Sequence, residues 1–142
     1  MNVYFETSAI IKLVVEEEGS TDASDIWNAA DLLVTSRLSY PEARAALAAA
    51  HRGGRISRRQ LDGAKAALDE RFAEMELIEV TEDLARSAGD LAEERGLRGY
   101  DAVHLASALT LGLEDTVVIT WDRELAAAAQ RAGLDQAGMP LG

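Results

Sequence analysis

The sequence contains no cysteine among its 142 residues and only two histidines, His51 and His104. The absence of cysteine excludes disulfide bonds, thiolate catalysis, iron–sulfur clusters and zinc sites built on cysteine. The low histidine count excludes a histidine-rich metal site. Proline occurs only at Pro41 and Pro140, so the chain has no proline-rich linker.

Positive charge is also scarce, with 14 Lys and Arg against 25 Asp and Glu and a formal net charge of −11. A protein that coats nucleic acid without sequence preference is expected to be basic. A protein held on an anionic membrane needs positive charge as well. The charge balance argues against both classes and suits a protein that binds cations or a basic partner.

Length and apolar content predict one folded domain away from the membrane. The chain has the size of a single domain, and its 48% apolar content is too high for a disordered protein. No apolar run approaches the roughly 20 residues of a membrane span, and residues 1–15 lack the basic region and cleavage site of a secretion signal. We therefore expect a cytoplasmic protein with no membrane partner.

Short apolar runs alternate with helical patterns along the chain. Strands are predicted at residues 3–5, 32–34, 77–80 and 117–119. Helices are predicted at about 7–16, 20–30, 39–51, 57–72, 81–96, 100–111 and 122–131, and the ambiguous tail 134–142 is compatible with an edge strand. This order predicts an α/β fold in which a mainly parallel sheet of four to five strands is flanked by about seven helices. The glycine motifs of dinucleotide-binding and P-loop folds are absent.

Two segments predict helix starts by the same pattern. Ser39-Tyr-Pro-Glu42 and Ser57-Arg-Arg-Gln60 both match the capping box, in which a serine hydroxyl and an acid or amide three residues later bind each other's backbone N–H. We expect both boxes to form.

Four carboxylates occupy similar positions in this pattern. Glu6 ends the first strand, Glu42 lies in the first turn of the third helix, Asp101 begins the helix 100–111 and Asp122 follows the fourth strand. In an open parallel sheet, the carboxyl ends of the strands and the following helix N-termini share one edge, where ligands bind. The spacing therefore predicts that Glu6, Glu42 and Asp122 gather at that edge.

Each acid also has a purely structural interpretation. Asp122 is an ordinary helix N-cap, Glu42 is the acid of a capping box, and Asp101 suits a helix N-terminus. Glu6 differs, because a carboxylate that ends a buried strand is costly to desolvate unless it is paired or bound to a cation. Gathered carboxylates repel one another unless a cation intervenes, so the set favours a functional interpretation.

Four segments carry a resemblance to a known family: Val3-Tyr-Phe-Glu-Thr-Ser-Ala-Ile-Ile-Lys-Leu13, Ser39-Tyr-Pro-Glu-Ala-Arg-Ala-Ala-Leu47, Gly99-Tyr-Asp-Ala-Val-His-Leu-Ala-Ser-Ala-Leu109 and Val118-Ile-Thr-Trp-Asp-Arg-Glu-Leu125. In order and spacing they resemble the acidic motifs of PIN-domain ribonucleases, over residues 2 to about 130. The size of the chain resembles that of VapC-type toxins of bacterial and archaeal type II toxin–antitoxin pairs. On this basis we expect a single PIN domain over residues 1–142.

The resemblance implies a metal-dependent endoribonuclease with Glu6, Glu42, Asp101 and Asp122 as its acidic cluster. Mg²⁺ or Mn²⁺ is the implied cofactor, because these ions prefer hard oxygen ligands and keep several waters. Glu6 and Asp101 would be the principal ligands, while Glu42 and Asp122 would complete the site directly or through water. One or two ions would activate the attacking water and stabilise charge on the scissile phosphate.

Glu6 departs from the family pattern, which usually has Asp at this position. The extra methylene adds on the order of 1 Å of reach, and catalysis is sensitive to misplacement of that size. Either this member tolerates Glu, or the residue was altered to weaken a toxic nuclease. We hypothesise that metal binding survives weakly and that cleavage is reduced. The alternative function is a catalytically weakened PIN domain that acts as a protein- or RNA-binding module.

Hydroxyl and basic side chains flank the acids. Thr7, Ser8 and Thr120 are candidates for hydrogen bonds to a carboxylate or phosphate, with helix capping as the competing role of Thr7 or Ser8. The candidates for RNA contact are Arg44, Arg98, His104 and Arg123. Solvated arginines and a packed histidine are the competing interpretations. The acid-free stretch 51–59, with four arginines, suits either RNA contact or a solvated turn.

The resemblance also implies partners: a cognate antitoxin, an RNA substrate and a second copy of the chain in a homodimer. A basic residue of the antitoxin that reaches the acidic site would exploit its charge. Because the net charge of −11 opposes sequence-blind RNA binding, contact with RNA is expected to be local, metal-dependent and sensitive to salt.

Overall fold

The computed structural model describes residues 1–140, which form five strands and seven helices. The strands are β1 (Asn2–Phe5), β2 (Leu32–Ser36), β3 (Glu76–Ile78), β4 (Thr116–Thr120) and β5 (Asp135–Gly138). The helices are α1 (Thr7–Val14), α2 (Ser20–Ala29), α3 (Ser39–Arg52), α4 (Arg58–Ala73), α5 (Glu82–Arg95), α6 (Gly99–Leu109) and α7 (Arg123–Arg131). None of the helices in this part of the chain is long and apolar enough to cross a membrane.

The five strands form one sheet in the order β3-β2-β1-β4-β5, and every pair is parallel. The predicted α/β architecture is confirmed, and the ambiguous tail contributes the edge strand β5 beside β4. The last two residues of the predicted domain, 141 and 142, lie outside the described residues. Because β1 is central, its carboxyl end is flanked by those of β2 and β4.

The core has two layers, one on each face of the sheet. Alternate side chains of β1 point to opposite faces, so Val3 and Phe5 join one apolar cluster and Tyr4 joins the other. Helices α1 to α4 cover the first face, and helices α5 to α7 cover the second. Burying a large apolar side chain here stabilises the fold by about 1.5–3 kcal/mol relative to exposure.

The capping box is confirmed at α4, where Ser57 accepts from the Gln60 N–H and the Gln60 side chain accepts from the Ser57 N–H. The same prediction at Ser39 is wrong. There α3 follows Leu38 without a side-chain cap, and the fully buried Ser39 hydroxyl lies 2.7 Å from the Thr35 hydroxyl. Burial of this serine inside the first turn provides a partner other than the helix backbone.

The prediction that Thr7 or Ser8 caps α1 is also wrong. The N-cap position is taken by Glu6, which makes no capping hydrogen bond with its side chain. Thr7 and Ser8 lie inside the first turn of α1, and their hydroxyls contact side chains of the sheet edge instead. The start of α1 thereby directs three consecutive polar side chains toward the carboxyl edge of the sheet.

Candidate functional site

Glu6 lies directly after β1, at the carboxyl edge of the sheet, and is only 7% exposed. Its Oε1 accepts hydrogen bonds from Ser8 Oγ at 2.5 Å and from Thr120 Oγ1 at 2.6 Å. Both hydroxyls are themselves oriented, because Ser8 Oγ accepts from the Trp121 N–H and Thr120 Oγ1 accepts from the Asp122 N–H. The end of β4 and the start of α1 therefore hold this carboxylate from two sides.

Asp101 and Asp122 meet at one guanidinium group. Arg98 Nε donates to Asp101 Oδ2 at 3.0 Å, and Arg98 Nη2 donates to Asp122 Oδ2 at 3.2 Å. The other oxygen of Asp122, Oδ1, accepts from the Leu125 N–H at 3.0 Å and caps α7. Asp122 is therefore both a helix cap and a member of the acidic site, since one oxygen caps α7 and the other faces the Arg98 guanidinium.

The electrostatics show that three carboxylates share this edge. Burial raises the pKa of Asp101, and the negative charges of Asp122 and Glu6 raise that pKa further, while Arg98 opposes the shift. Asp101 is only 3% exposed, so the penalty for its charged form is set largely by desolvation. A cation beside Asp101 would offset both the cost of burying its negative charge and the repulsion from Asp122 and Glu6.

Glu42 belongs to a separate hydrogen-bond network at the same edge. Its Oε1 accepts from Thr7 Oγ1 at 2.7 Å and lies 2.6 Å from His104 Nε2. A carboxylate only accepts hydrogen bonds, so Nε2 carries a proton, and Nδ1 shares a hydrogen bond of 2.7 Å with the Tyr4 hydroxyl. Burial raises the pKa of Tyr4, which keeps the phenol protonated as this chain of bonds requires.

The network favours an ionised Glu42. Burial raises the pKa of this carboxyl, but the hydrogen bond and the electrostatic attraction of His104, together with the hydrogen bond from Thr7, outweigh burial and lower the net pKa. His104 is 1% exposed, so it is a packed histidine, and it also lies beside an acid of the site, Glu42. Tyr4 escaped prediction, although a tyrosine in a buried strand needs a partner for its hydroxyl, and that need was the available signal.

Of the three candidate arginines, one pairs with the acids of the site and two form no salt bridge with them within residues 1–140. Arg98 bridges Asp101 and Asp122, whereas Arg44 donates to the Tyr40 hydroxyl at 3.1 Å. Arg123 is exposed at the start of α7, and within residues 1–140 it forms no salt bridge with the acids.

The four arginines of the stretch 51–59 are exposed at the turn between α3 and α4. This turn lies ten residues along the helix from Glu42, or about 15 Å. The stretch therefore lies at the opposite end of α3 from the acids.

The donor set suits a hard divalent cation. Within residues 1–140 no three His, Asp or Glu side chains stand grouped as a ready-made metal site. Mg²⁺, however, is commonly held by one or two carboxylates while it keeps several waters. Asp101 and Asp122 provide two converging carboxylates, and Glu6 provides a third that is close enough to raise the pKa of Asp101. The residues present therefore fit a hydrated divalent ion.

Comparisons with known proteins point to one family. The model of the family described as "PIN domain" matches residues 3–131. Ribonuclease VapC45 of Mycobacterium tuberculosis (strain CDC 1551 / Oshkosh) is 45% identical over 131 residues, which cover 92% of this chain and 91% of that protein.

Two solved structures share the fold. PAE2754 from Pyrobaculum aerophilum superposes with a TM-score of 0.72 at 24% identity, over 96% of this chain and 83% of that one. A toxin–antitoxin complex from Klebsiella pneumoniae includes a chain that matches with a TM-score of 0.64 at 18% identity, over 89% of this chain and 91% of that one.

Proposed function

This chain belongs to the PIN domain family, and from that premise we propose that it is a metal-dependent endoribonuclease, the toxin of a type II toxin–antitoxin pair. The predicted resemblance to this family is confirmed, and the curated relative at 45% identity carries the name ribonuclease. The reaction is hydrolysis of RNA phosphodiester bonds at the carboxyl edge of the sheet.

The observation that carries this proposal is the convergence of the Asp101 and Asp122 carboxylates on the Arg98 guanidinium, beside Glu6. The two aspartates come from the first turn of α6 and the N-cap of α7, so two helix N-termini face the same place. Helix N-termini favour a negatively charged group such as the scissile phosphate. Carboxylates for a cation and helix ends for a phosphate therefore occur at one edge.

The residues of the chain divide the work of the site. Asp101, Asp122 and Glu6 would hold Mg²⁺ or Mn²⁺, which supplies acidification of the attacking water and stabilisation of charge on the phosphate. Thr120 and Ser8 fix the carboxylate of Glu6 through the two hydroxyl donors to its Oε1. The Glu42 carboxylate is kept ionised and fixed by a parallel arrangement, in which Thr7 and His104 are the donors.

Glu6 is the place where this site departs from its family, and we propose that it weakens the activity. Both hydroxyl donors bind Oε1, and the side chain is one methylene longer than the usual Asp, so the carboxylate sits on the order of 1 Å farther from the backbone. The substitution Glu6→Asp is expected to increase RNA cleavage at least several-fold and to tighten metal binding. Equal initial cleavage rates of Glu6→Asp and wild type would show that this member is adapted to Glu.

The proposed partners follow from the same assignment. A protein with the fold of this chain occurs in the toxin–antitoxin complex from Klebsiella pneumoniae, which supports an antitoxin as partner. The net charge of −11 suits a basic inhibitory segment that reaches the acidic edge. RNA as substrate and a homodimer as assembly complete the proposal.

Cleavage of total RNA by the purified chain tests the function. With Mg²⁺ or Mn²⁺ we expect discrete fragments, no cleavage in excess chelator, and a loss of at least about 100-fold in Asp101→Asn. The matched control Asp90→Asn removes the same charge from exposed α5 and is expected to leave cleavage intact. Absence of cleavage by wild type and by Glu6→Asp, with no heat of Mn²⁺ binding at millimolar metal, would favour the binding-module alternative.

A further inference from the structure

We propose that Arg98 is an internal counter-ion that occupies the cation position of the acidic site and competes with the divalent ion for Asp101 and Asp122. This inference rests on the proposed function, because it concerns the metal of that same site. It assigns Arg98 a role distinct from contact with RNA.

The first argument is which oxygens Arg98 binds. Both of its contacts go to the Oδ2 atoms, at 3.0 Å on Asp101 and 3.2 Å on Asp122. The Oδ1 of Asp122 is already committed to the cap of α7. The guanidinium therefore occupies the oxygen of Asp122 that makes no other hydrogen bond within residues 1–140, and it competes with a metal ion for that oxygen through its positive charge.

The second argument is which partner is able to move. The Arg98 side chain is 55% exposed, whereas that of Asp101 is 4% exposed and fixed on the first turn of α6. The guanidinium carbon lies 5.0 Å from the centre of the Tyr100 ring, and that residue is itself 45% exposed. Arg98 can therefore leave the carboxylates without opening the core, while the aspartates stay in place.

The third argument is charge. Asp101 is buried and repelled by Asp122 and Glu6, and Arg98 is the cation that offsets this repulsion. A divalent ion carries twice the charge and binds carboxylate oxygens directly, so it can replace the guanidinium. Removal of Arg98 should then leave the carboxylates uncompensated and raise their affinity for the metal.

Titration of Mn²⁺ followed by calorimetry and by electron paramagnetic resonance tests the inference. Loss of both Arg98 contacts in Arg98→Ala should tighten Mn²⁺ binding about threefold to tenfold. The Mn²⁺ affinity of Arg98→Lys should lie between those of wild type and Arg98→Ala, because an ammonium group lacks the planar fork that bridges both aspartates. The matched control is Arg131→Ala, which removes an equal charge from the exposed far end of α7 and should leave the affinity within twofold of wild type.

Addition of methylguanidinium distinguishes competition from a change in structure. In Arg98→Ala, tens of millimolar methylguanidinium should return the Mn²⁺ affinity toward the wild-type value, and the same concentration of NaCl should have a smaller effect. A structural change caused by the substitution would not be reversed by a small cation. The inference is overturned if Arg98→Ala binds Mn²⁺ with wild-type or lower affinity while the wild type binds normally.

The metal site itself is tested by Asp101→Asn. Loss of Mn²⁺ binding in this variant supports the proposed function, and Mn²⁺ binding that Asp101→Asn leaves unchanged contradicts it. If wild type binds no Mn²⁺ but Arg98→Ala binds it in an Asp101-dependent manner, the competition is confirmed in its strongest form. If neither protein binds Mn²⁺, the inference and the metal dependence fail together, whereas failure of Arg98 alone leaves the proposed function intact.

Discussion

The Tyr4 hydroxyl is the innermost group of the network that holds Glu42. Tyr4 has no exposed surface, and its partner His104 is almost as deeply buried, so neither polar group can turn to water. The ring centroids lie 5.9 Å apart at an interplanar angle of 69°, an edge-to-face arrangement that also fixes the imidazole. One phenol at the centre of the sheet thus fixes the ring of a histidine, and through it the position of a carboxylate at the edge.

The substitution Tyr4→Phe is expected to destabilise the protein by about 1–2 kcal/mol, because it leaves the buried Nδ1 of His104 without its hydrogen-bond partner. Urea unfolding with an unchanged slope measures this effect. The control is Tyr40→Phe, which removes a hydroxyl that donates to Asp69 at the exposed surface. We expect Tyr40→Phe to lower the free energy of unfolding by clearly less than Tyr4→Phe. Equal losses of stability in the two variants would contradict the role of Tyr4 in the buried network.

Acid unfolding should register the ionised state of Glu42. Its pKa is lowered in the folded protein, so this carboxylate contributes stability that is present above its usual pKa near 4.5 and is lost as the pH falls through the lower folded value. Glu42→Gln removes that contribution. The stability advantage of wild type over Glu42→Gln is therefore expected to shrink between pH 6 and pH 3.

Urea midpoints measured across this pH range check the prediction. Glu70→Gln, at an exposed position of α4, removes the same charge and controls for the change in net charge. A wild-type advantage over Glu42→Gln that stays constant from pH 6 to pH 3 would show that Glu42 is not held as a carboxylate by His104 and Thr7.

At the scale of the elements, α7 begins on a residue with two duties. Asp122 Oδ1 caps the helix through the Leu125 N–H, and Oδ2 faces Arg98. A helix N-cap is worth about 1 kcal/mol, and serine caps nearly as well as aspartate. The structural and functional roles of this residue can therefore be separated by substitution.

Asp122→Ser is expected to keep the stability within a few tenths of a kcal/mol, whereas Asp122→Ala should lose about 1 kcal/mol. Both should bind Mn²⁺ more weakly, because both lose Oδ2. Thr81→Ala is the matched control, since it removes the cap that Thr81 provides to Leu84 N–H of α5, away from the acids. Unfolding and Mn²⁺ titrations report the two effects, and wild-type Mn²⁺ affinity in Asp122→Ser would remove Asp122 from the site.

Two segments that match the same capping-box pattern show how far helix starts could be predicted from the sequence. Ser57 and Gln60 form the expected capping box because they are exposed and no tertiary partner competes for them. Ser39 and Glu42 match the same pattern, but burial supplies Thr35 and His104 as partners. Local rules therefore found the order of strands and helices, and they failed where the core provided another hydrogen bond.

The candidate site was predicted to a similar extent. The spacing predicted that Glu6, Glu42 and Asp122 gather at one edge, because parallel strands share their carboxyl ends and the following helices begin there. The bridge by Arg98 and the bond from Tyr4 to His104 join residues that are 24 and 100 positions apart in the sequence. Such contacts depend on side-chain reach across the folded edge, which periodicity and spacing do not encode.

At the scale of the whole molecule, the net charge of −11 restricts how RNA can bind. The four proposed site acids account for 4 of the 25 acidic residues, so two divalent ions would cancel a local −4 and leave −7 elsewhere. The acid-free group of arginines lies at the turn between α3 and α4, at the far end of α3 from Glu42. At the acidic edge, attraction for the phosphate backbone is therefore left to the metal and the helix N-termini.

This confinement predicts a shallow salt dependence for RNA cleavage. Each phosphate neutralised on a single strand contributes about −0.7 to the slope of log affinity against log salt, so two or three contacts give a slope near about −2. The value of kcat/KM, measured from 50 to 200 mM KCl at fixed Mn²⁺, reports that slope. Combined replacement of Arg52, Arg58 and Arg59 by alanine should leave it unchanged.

A slope steeper than about −4 that becomes shallow on this triple replacement would contradict the prediction. It would mean that RNA is held along the basic turn of α3 and α4 as well as at the acidic edge. A slope near −2 in both proteins would instead show that an acidic PIN domain contacts its substrate locally, where the cation and the helix N-termini offset a negative surface.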